Sequence, residues 1–269
     1  MRWLELADTA LRYEVSGAGP ETLVLVHEMG GTLDSWDHVL PALNATRRVL
    51  RYDTRGAGQS EKIVGTANID AMADDIAGLL DATGITGKVT LAGCAVGGAI
   101  ALNFAHRHKH RAGALILMGP ALSIPVERRE TALARAAELE AGMMRDVVEA
   151  SLGNSYPPIV QHNAEHYRQF RARWLANDPR SYAAINRMLV GMDLNPLCAT
   201  VTCPVLVMAG RHDPLRSPGV VGPVARAIPG ARFVEIESGH FMAVQTPDIV
   251  ASMINQFLAS IQPGNRPHG

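Results

Sequence analysis

The sequence predicts an α/β fold in which a mostly parallel sheet carries helices on both faces. Three observations lead there. Short runs rich in Val, Ile and Leu recur along the chain and close in Gly, Asp, Glu or Ser; helical periodicity separates them; and one long stretch interrupts the alternation. Runs that are apolar at successive positions suit strands buried on both faces, as parallel strands are. Strand and helix in alternation is the pattern of a wound sheet.

The opening stretch "LELADTALRYEVSGAGPETLVLV" nearly alternates and is punctuated by Gly and Pro, so it is read as an antiparallel hairpin at one sheet edge. Further strands are expected at 23–28, 48–53, 88–93, 114–119, 204–210 and 231–238, giving eight in all. Ile69, Met72, Ile76, Leu79 and Leu80 keep helical spacing up to Gly84, a C-terminal stop. Val250, Met253, Ile254, Phe257 and Leu258 follow Thr246 and Pro247, a capped start with proline at the first helical position. The interruption runs over 121–195, where helical segments such as 126–152 and "AEHYRQFRARWLAN" replace strands. It leaves from the strand ending at Gly119, on the edge where loops at strand C-termini build a site, so it is expected to form a lid. The division is therefore a core over 1–120 and 196–262, a helical lid over 121–195, and a flexible tail over 263–269. No internal repeat is visible.

A chain of 269 residues, 47% hydrophobic, can bury a full core. With 25 basic against 26 acidic residues its formal charge is −1, and no overall field draws it to nucleic acid or to an anionic membrane. Glu5 and Asp8 interrupt the start, and no run nears the ~18 apolar residues of a membrane span, so a cytoplasmic protein is expected. The expected partners are a small-molecule substrate and at most a second copy of the chain in a homodimer. Cys94, Cys198 and Cys203 have neither metal spacing nor an even count, so neither a disulfide framework nor a zinc site is expected, and the chemistry expected of the chain calls for no metal or organic cofactor.

The stretch "LAGCAVGGAI" places a strand, a tight glycine turn and a helix in succession. That is the context of a nucleophile elbow, G-x-S-x-G, whose middle residue stands over the sheet while the next N–H faces a developing oxyanion. The middle position is Ala95, and the following amide is that of Val96. Cys94 is one place early and would point away. "LVLVHEMGG", "RYDTRGAGQSEK", "MAGRHDPLRSP" and "ESGHFMAVQTPD" occur around it in a set order. Together the chain resembles the lid-bearing α/β-hydrolases over nearly its whole length. The resemblance implies an α/β-hydrolase fold, Asp213 as the acid that orients an imidazole, His240 as the base, and the amides of Met29 and Val96 as the oxyanion hole. Glu28 stands where the family has glycine, which puts a carboxylate near the substrate. His27 is read as structural and Asp53 and Arg55 as loop braces. The run "HRHKHR" is read as cations that complement a helix end rather than as a metal site.

Ala95 has three readings. It replaces a serine that the rest of the constellation serves, so as to trap substrate; it marks a natural small-molecule receptor; or it leaves His240 to activate water alone. The first is preferred. The native reaction is then hydrolysis of a small ester, lactone or amide through an acyl-enzyme on a serine at position 95, and the chain as written is nearly inactive. "SYAAINRMLVGMDL" before "CPVLVMAG" resembles the 3-oxoadipate enol-lactonases of aromatic catabolism. A carbon–carbon bond hydrolase of ring-cleavage dienoates is the alternative. Arginines without lysines in the second half of the lid suggest a carboxylate on the substrate, held by Arg168 or Arg187. Met143, Met144, Tyr167, Trp174, Tyr182 and Met188 are expected to line the pocket.

Overall fold

Each strand expected from the sequence is a strand in the computed structural model, which describes residues 1–262; the expected tail, 263–269, lies outside the described residues. The strands are β1 (Arg2–Glu5), β2 (Ala10–Ser16), β3 (Thr22–Val26), β4 (Arg48–Tyr52), β5 (Val89–Cys94), β6 (Ala112–Met118), β7 (Val205–Gly210) and β8 (Arg232–Ile236). They form one sheet in the order β1-β2-β4-β3-β5-β6-β7-β8. The β1–β2 hairpin lies at one edge and β2 meets β4 antiparallel, while β4, β3 and all strands beyond run parallel.

The pleat explains why the inner strands are apolar at every position. Val24 and Val26, Leu115 and Leu117, and Val205 and Val207 face α2 (Ile69–Ala82), α3 (Val96–Arg107) and α8 (Pro218–Ala227). Their neighbours Leu23 and Leu25, Ile116 and Met118, and Leu206 and Met208 face α1 (Leu40–Asn44) and α10 (Pro247–Ile261) on the other side. Each such side chain contributes about 1.5–3 kcal/mol by burial, so neither face can be left open.

α2 begins where the Asn68 side chain accepts from the amides of Asp70 and Ala71, and ends before Gly84, whose φ is +68°. α10 starts at Pro247 as expected, but Thr246 does not cap it: its hydroxyl donates to Ser238 Oγ at 2.8 Å. The helix expected over 126–152 is two helices, α4 (Val126–Ala141) and α5 (Met144–Ser155), parted at Gly142. Asp146 Oδ2 accepts from the Met143 amide at 2.9 Å and so begins the second helix. With α6 (Ala164–Leu175) and α7 (Pro179–Gly191) they make a helical insertion between β6 and β7. The insertion has its own core, including Leu139, Leu152, Tyr156, Phe170 and Trp174, and this core continues into Phe241 and, within α9 (Met242–Gln245), Val244. Among the described residues no helix is long and apolar enough to cross a membrane.

The turn from β5 into α3 is packed to contact. A Cβ on Gly97 would lie 2.3 Å from the Val26 carbonyl oxygen, and one on Gly93 would lie 2.2 Å from the Gly97 oxygen. Gly97→Ala is expected to lower unfolding stability by about 2 kcal/mol or more, since strand backbone cannot step aside. Gly153→Ala, in α5 with nothing within 4 Å of the added carbon, is expected to gain about 0.5–1 kcal/mol. Denaturant unfolding of both variants checks the contrast, and equal responses would contradict it.

Candidate active site

Ala95 has φ 51° and ψ −112°, and is the one non-glycine residue with positive φ among the described residues. A non-glycine side chain held there costs roughly 1–3 kcal/mol and persists only where the surroundings enforce it. Enforcement comes from both sides of the turn. The Ala95 amide donates to the Met118 carbonyl at 2.9 Å, and the Ala95 carbonyl accepts from Gly98, Ala99 and Ala121. The turn's own bonds to this carbonyl thus begin with Gly98, and Val96, at the positive end of α3, borders the cavity. Cys94 does not border the cavity: it is fully buried, its thiol meets the His240 carbonyl at 3.3 Å, and burial pushes its pKa well up. A thiol so placed is no nucleophile.

Opposite the elbow, His240 Nδ1 lies 2.8 Å from Asp213 Oδ2. Asp213 follows β7, and its other oxygen accepts from the amides of Leu215 at 2.8 Å and Arg216 at 2.9 Å. Burial alone would raise the carboxyl pKa, but the charge and hydrogen bond of His240 and these two amides outweigh it, holding the group below its ordinary value of 3.8. With the carboxylate ionised, the Nδ1 proton of the imidazole points at it and Nε2 is free to accept. The sign for stability follows. A depressed carboxyl pKa contributes stability above the unfolded value and loses it as pH falls through the folded one. The stability lost on Asp213→Asn should therefore be largest near neutral pH and shrink below about pH 4. Urea unfolding at stepped pH measures it; a difference independent of pH would mean that the carboxylate is not held this way.

The loop after β3 completes the site. His27 Nε2 accepts from the Thr54 amide at 3.0 Å, so its Nδ1 proton goes to the Glu28 carbonyl at 2.7 Å, and the ring supports the loop from below. Gly31 donates to the Glu28 carbonyl, which turns the chain so that Met29 borders the same cavity as Val96. Asp53 ties this loop to its neighbours, accepting from the amides of Leu33 and Gln59, each at 2.8 Å. Arg55 pairs with Asp75 and Asp8. At the far end of α3, Arg107 and His108 pair with Asp74, and Arg111 with Asp81, which fastens α3 to α2.

A cavity of about 510 Å³ is bordered by Met29, Ala95, Val96 and His240 on the core side. Its remaining walls come from Ala121 to Arg128, from Asn186 and Leu189 of α7, and from Pro214 to Val220 after the acid. A side chamber of about 160 Å³ shares Met29, Asn186 and Leu215 with it and is bordered by Tyr182, Arg135 and Ser155. Ala95, Val96, Met29, Asp213 and His240 thus come together, and the expected substrate-binding residues largely do not. Arg168 is exposed and paired with Glu165 one helical turn away, and Arg187 is paired with Glu140 of α4. Each has a nearby carboxylate on the insertion's outer side, so neither turns inward. Trp174 is buried in the insertion core, and Tyr182 reaches only the side chamber. Glu28 is fully buried beneath the loop, with Oε1 accepting from Ser35 Oγ at 2.7 Å and packing against Gly31, so its carboxyl does not reach the cavity. Met143 is 65% exposed, Met144 is insertion core, and Tyr167 and Met188 pack partly buried against the two cores. Sequence reasoning misses Ile124, Leu189 and Arg216, although Ile124 and Arg216 lie in the loops that leave the C-terminal ends of β6 and β7.

Residues 21–247 match the family profile described as "alpha/beta hydrolase fold". A protein named as a carbamate hydrolase, RutD, from Azorhizobium caulinodans is 30% identical over 94% of this chain and 97% of its own. The 3-oxoadipate enol-lactonase 1 of Acinetobacter baylyi is 27% identical over 91% of this chain and 92% of its own. Among solved structures, the enol-lactonase from Burkholderia xenovorans LB400 superposes with a TM-score of 0.90 at 27% identity, over 96% of this chain and 100% of that one.

Proposed function

Since the chain belongs to the alpha/beta hydrolase fold family, we propose that its site serves hydrolysis of a small, carboxylate-bearing ester, lactone or amide through an acyl-enzyme formed on a serine at position 95. The chain as it stands, with Ala95, holds such a substrate and scarcely turns it over. The observation that carries this reading is the strained elbow. Glycine at position 95 would relieve the positive φ, yet a residue with a Cβ is kept there, bordering the same cavity as Val96 and His240.

In this reading the serine hydroxyl attacks the carbonyl and His240 takes its proton. Asp213 orients the ring, and the amides of Met29 and Val96 receive the oxyanion. His240 then returns the proton to the leaving group and activates water for deacylation. The helical insertion acts as the lid, and through Ile124, Asn186 and Leu189 it shapes the substrate end of the cavity. The relatives named as enol-lactonase and carbamate hydrolase support carbonyl hydrolysis as the class.

The test is a product assay of the Ala95→Ser variant on lactones, aryl esters, amides and a vinylogous diketone. Turnover of a lactone, ester or amide supports the proposal. Preference for the diketone moves the reading to a carbon–carbon bond hydrolase of dienoates. Ligand binding without any turnover in the serine variant makes the chain a small-molecule receptor.

A further inference from the structure

We propose that Arg216 is the anion anchor of the cavity, seating a carboxylate of the substrate beside the scissile carbonyl and selecting molecules that carry one. The inference rests on taking the cavity as the substrate site. Arg216 borders it together with Ala95 and His240. The buried arginines are matched by carboxylates, Arg12 with Asp53 and Asp34, Arg47 with Glu21, and Arg51 with Glu14 and Asp37, and the partly buried Arg55 pairs with Asp75 and Asp8. Arg216 makes no ion pair among the described residues, and its side chain has one protein acceptor, the Ser123 carbonyl at 3.1 Å from Nη2.

The charge of Asp213 acts on the guanidinium, but the two form no ion pair: Oδ2 faces His240, and Oδ1 accepts from the amides of Leu215 and Arg216. That same Oδ1 bond, at 2.9 Å, fixes the root of Arg216 relative to the base. The stem of Arg216 starts beside Gly119 and the acid, since a Cβ built on Gly119 would lie at contact distance, 3.5 Å, from both Arg216 Cβ and Asp213 Oδ2. Burial lowers the guanidinium pKa and Arg128 at the cavity rim pushes it the same way, outweighing the charge of Asp213, which pushes it up. A planar fork with four donors to spare suits a carboxylate held by two parallel bonds. Glu127, also at the rim, is exposed and does not reach Arg216 as an ion pair.

The test uses the chain as it is, with 4-acetoxybutanoate and its methyl ester as probes in isothermal titration. The carboxylate should bind about 10-fold to 100-fold more tightly than the ester, the range expected of charge-assisted hydrogen bonds. Arg216→Met should erase that preference by weakening the carboxylate alone, with binding of the ester reporting that the variant is folded, and Arg216→Lys should restore part of it. No preference in the parent chain, or equal weakening of both probes by Arg216→Met, overturns the anchor. Hydrolysis separates the two readings. If Ala95→Ser releases acetate from both probes with equal kcat/KM, the hydrolase stands and the anchor falls. If Ala95→Ser is inert while the parent binds the carboxylate through Arg216, the anchor stands and the hydrolase falls.

Discussion

Ala95→Ser is expected to raise kcat on an accepted ester or lactone by up to about 10⁶-fold, some 8 kcal/mol of barrier, with little change in the affinity for substrate. The size follows from what is already in place. His240 is hydrogen-bonded to a buried carboxylate at 2.8 Å, and the elbow holds its middle residue at φ 51°, so the variant adds one oxygen to a prepared site. Binding should hardly change, because the cavity walls and the amides of Met29 and Val96 are the same in both proteins. The measurement is single-turnover product formation beside equilibrium binding. Adding His240→Ala to the serine variant should return the rate close to that of the parent. A serine variant that gains less than tenfold on every compound the parent binds would refute the acyl-enzyme reading.

In that serine background, Asp213→Asn is expected to reduce kcat on the order of 10⁴-fold while KM changes little. The asparagine oxygen can still accept from the amides of Leu215 and Arg216, so the loop is retained. Its amide nitrogen then faces His240 Nδ1, where a carboxylate oxygen stood at 2.8 Å. A donor in that place makes Nδ1 the acceptor and moves the ring proton to Nε2, the nitrogen that must take the serine proton. The loss should appear in kcat rather than in substrate affinity. A decrease of less than tenfold would show that the ring keeps its tautomer without Asp213.

The sheet was legible because it is written in local pattern, whereas the pairing of Asp213 with His240 was read from the resemblance of "MAGRHDPLRSP" and "ESGHFMAVQTPD" to family motifs. Runs such as "LVLV" and "LILM" are apolar on both faces, which only strands covered twice require, and Asp213 and His240 sit directly after the strand ends that aim them at the elbow. The cavity wall was not legible in the same way. Periodicity shows that α6 and α7 have an apolar face, but which arginine turns inward depends on where carboxylates from other helices lie. Glu165 settles the matter for Arg168 and, one helical turn away, follows from spacing; Glu140, on another helix, settles it for Arg187 and does not. Arg216 was hidden for the converse reason, since what distinguishes it is a missing ion pair. Glu28 falls between the two. Its place in the loop was plain, yet its side chain turns down to Ser35 because Gly31 leaves the space.

The continuity between the insertion core and the histidine loop limits how such enzymes can be recombined or can diverge. Phe241, next to His240, packs on Phe170 of α6 with ring centroids 4.8 Å apart, and the carbonyl of Ser155 at the end of α5 accepts from the His240 amide and from Gln245. A helical segment grafted from another protein would therefore inherit two obligations besides fitting a new substrate: an aromatic seat for Phe241 and a carbonyl where Ser155 now ends its helix. A graft that meets neither would leave the imidazole unanchored and fail through rate, whatever its pocket selects. Variation in substrate preference along this lineage is thereby channelled into residues such as Asn186 and Leu189, which border the cavity and carry no part of the histidine's support.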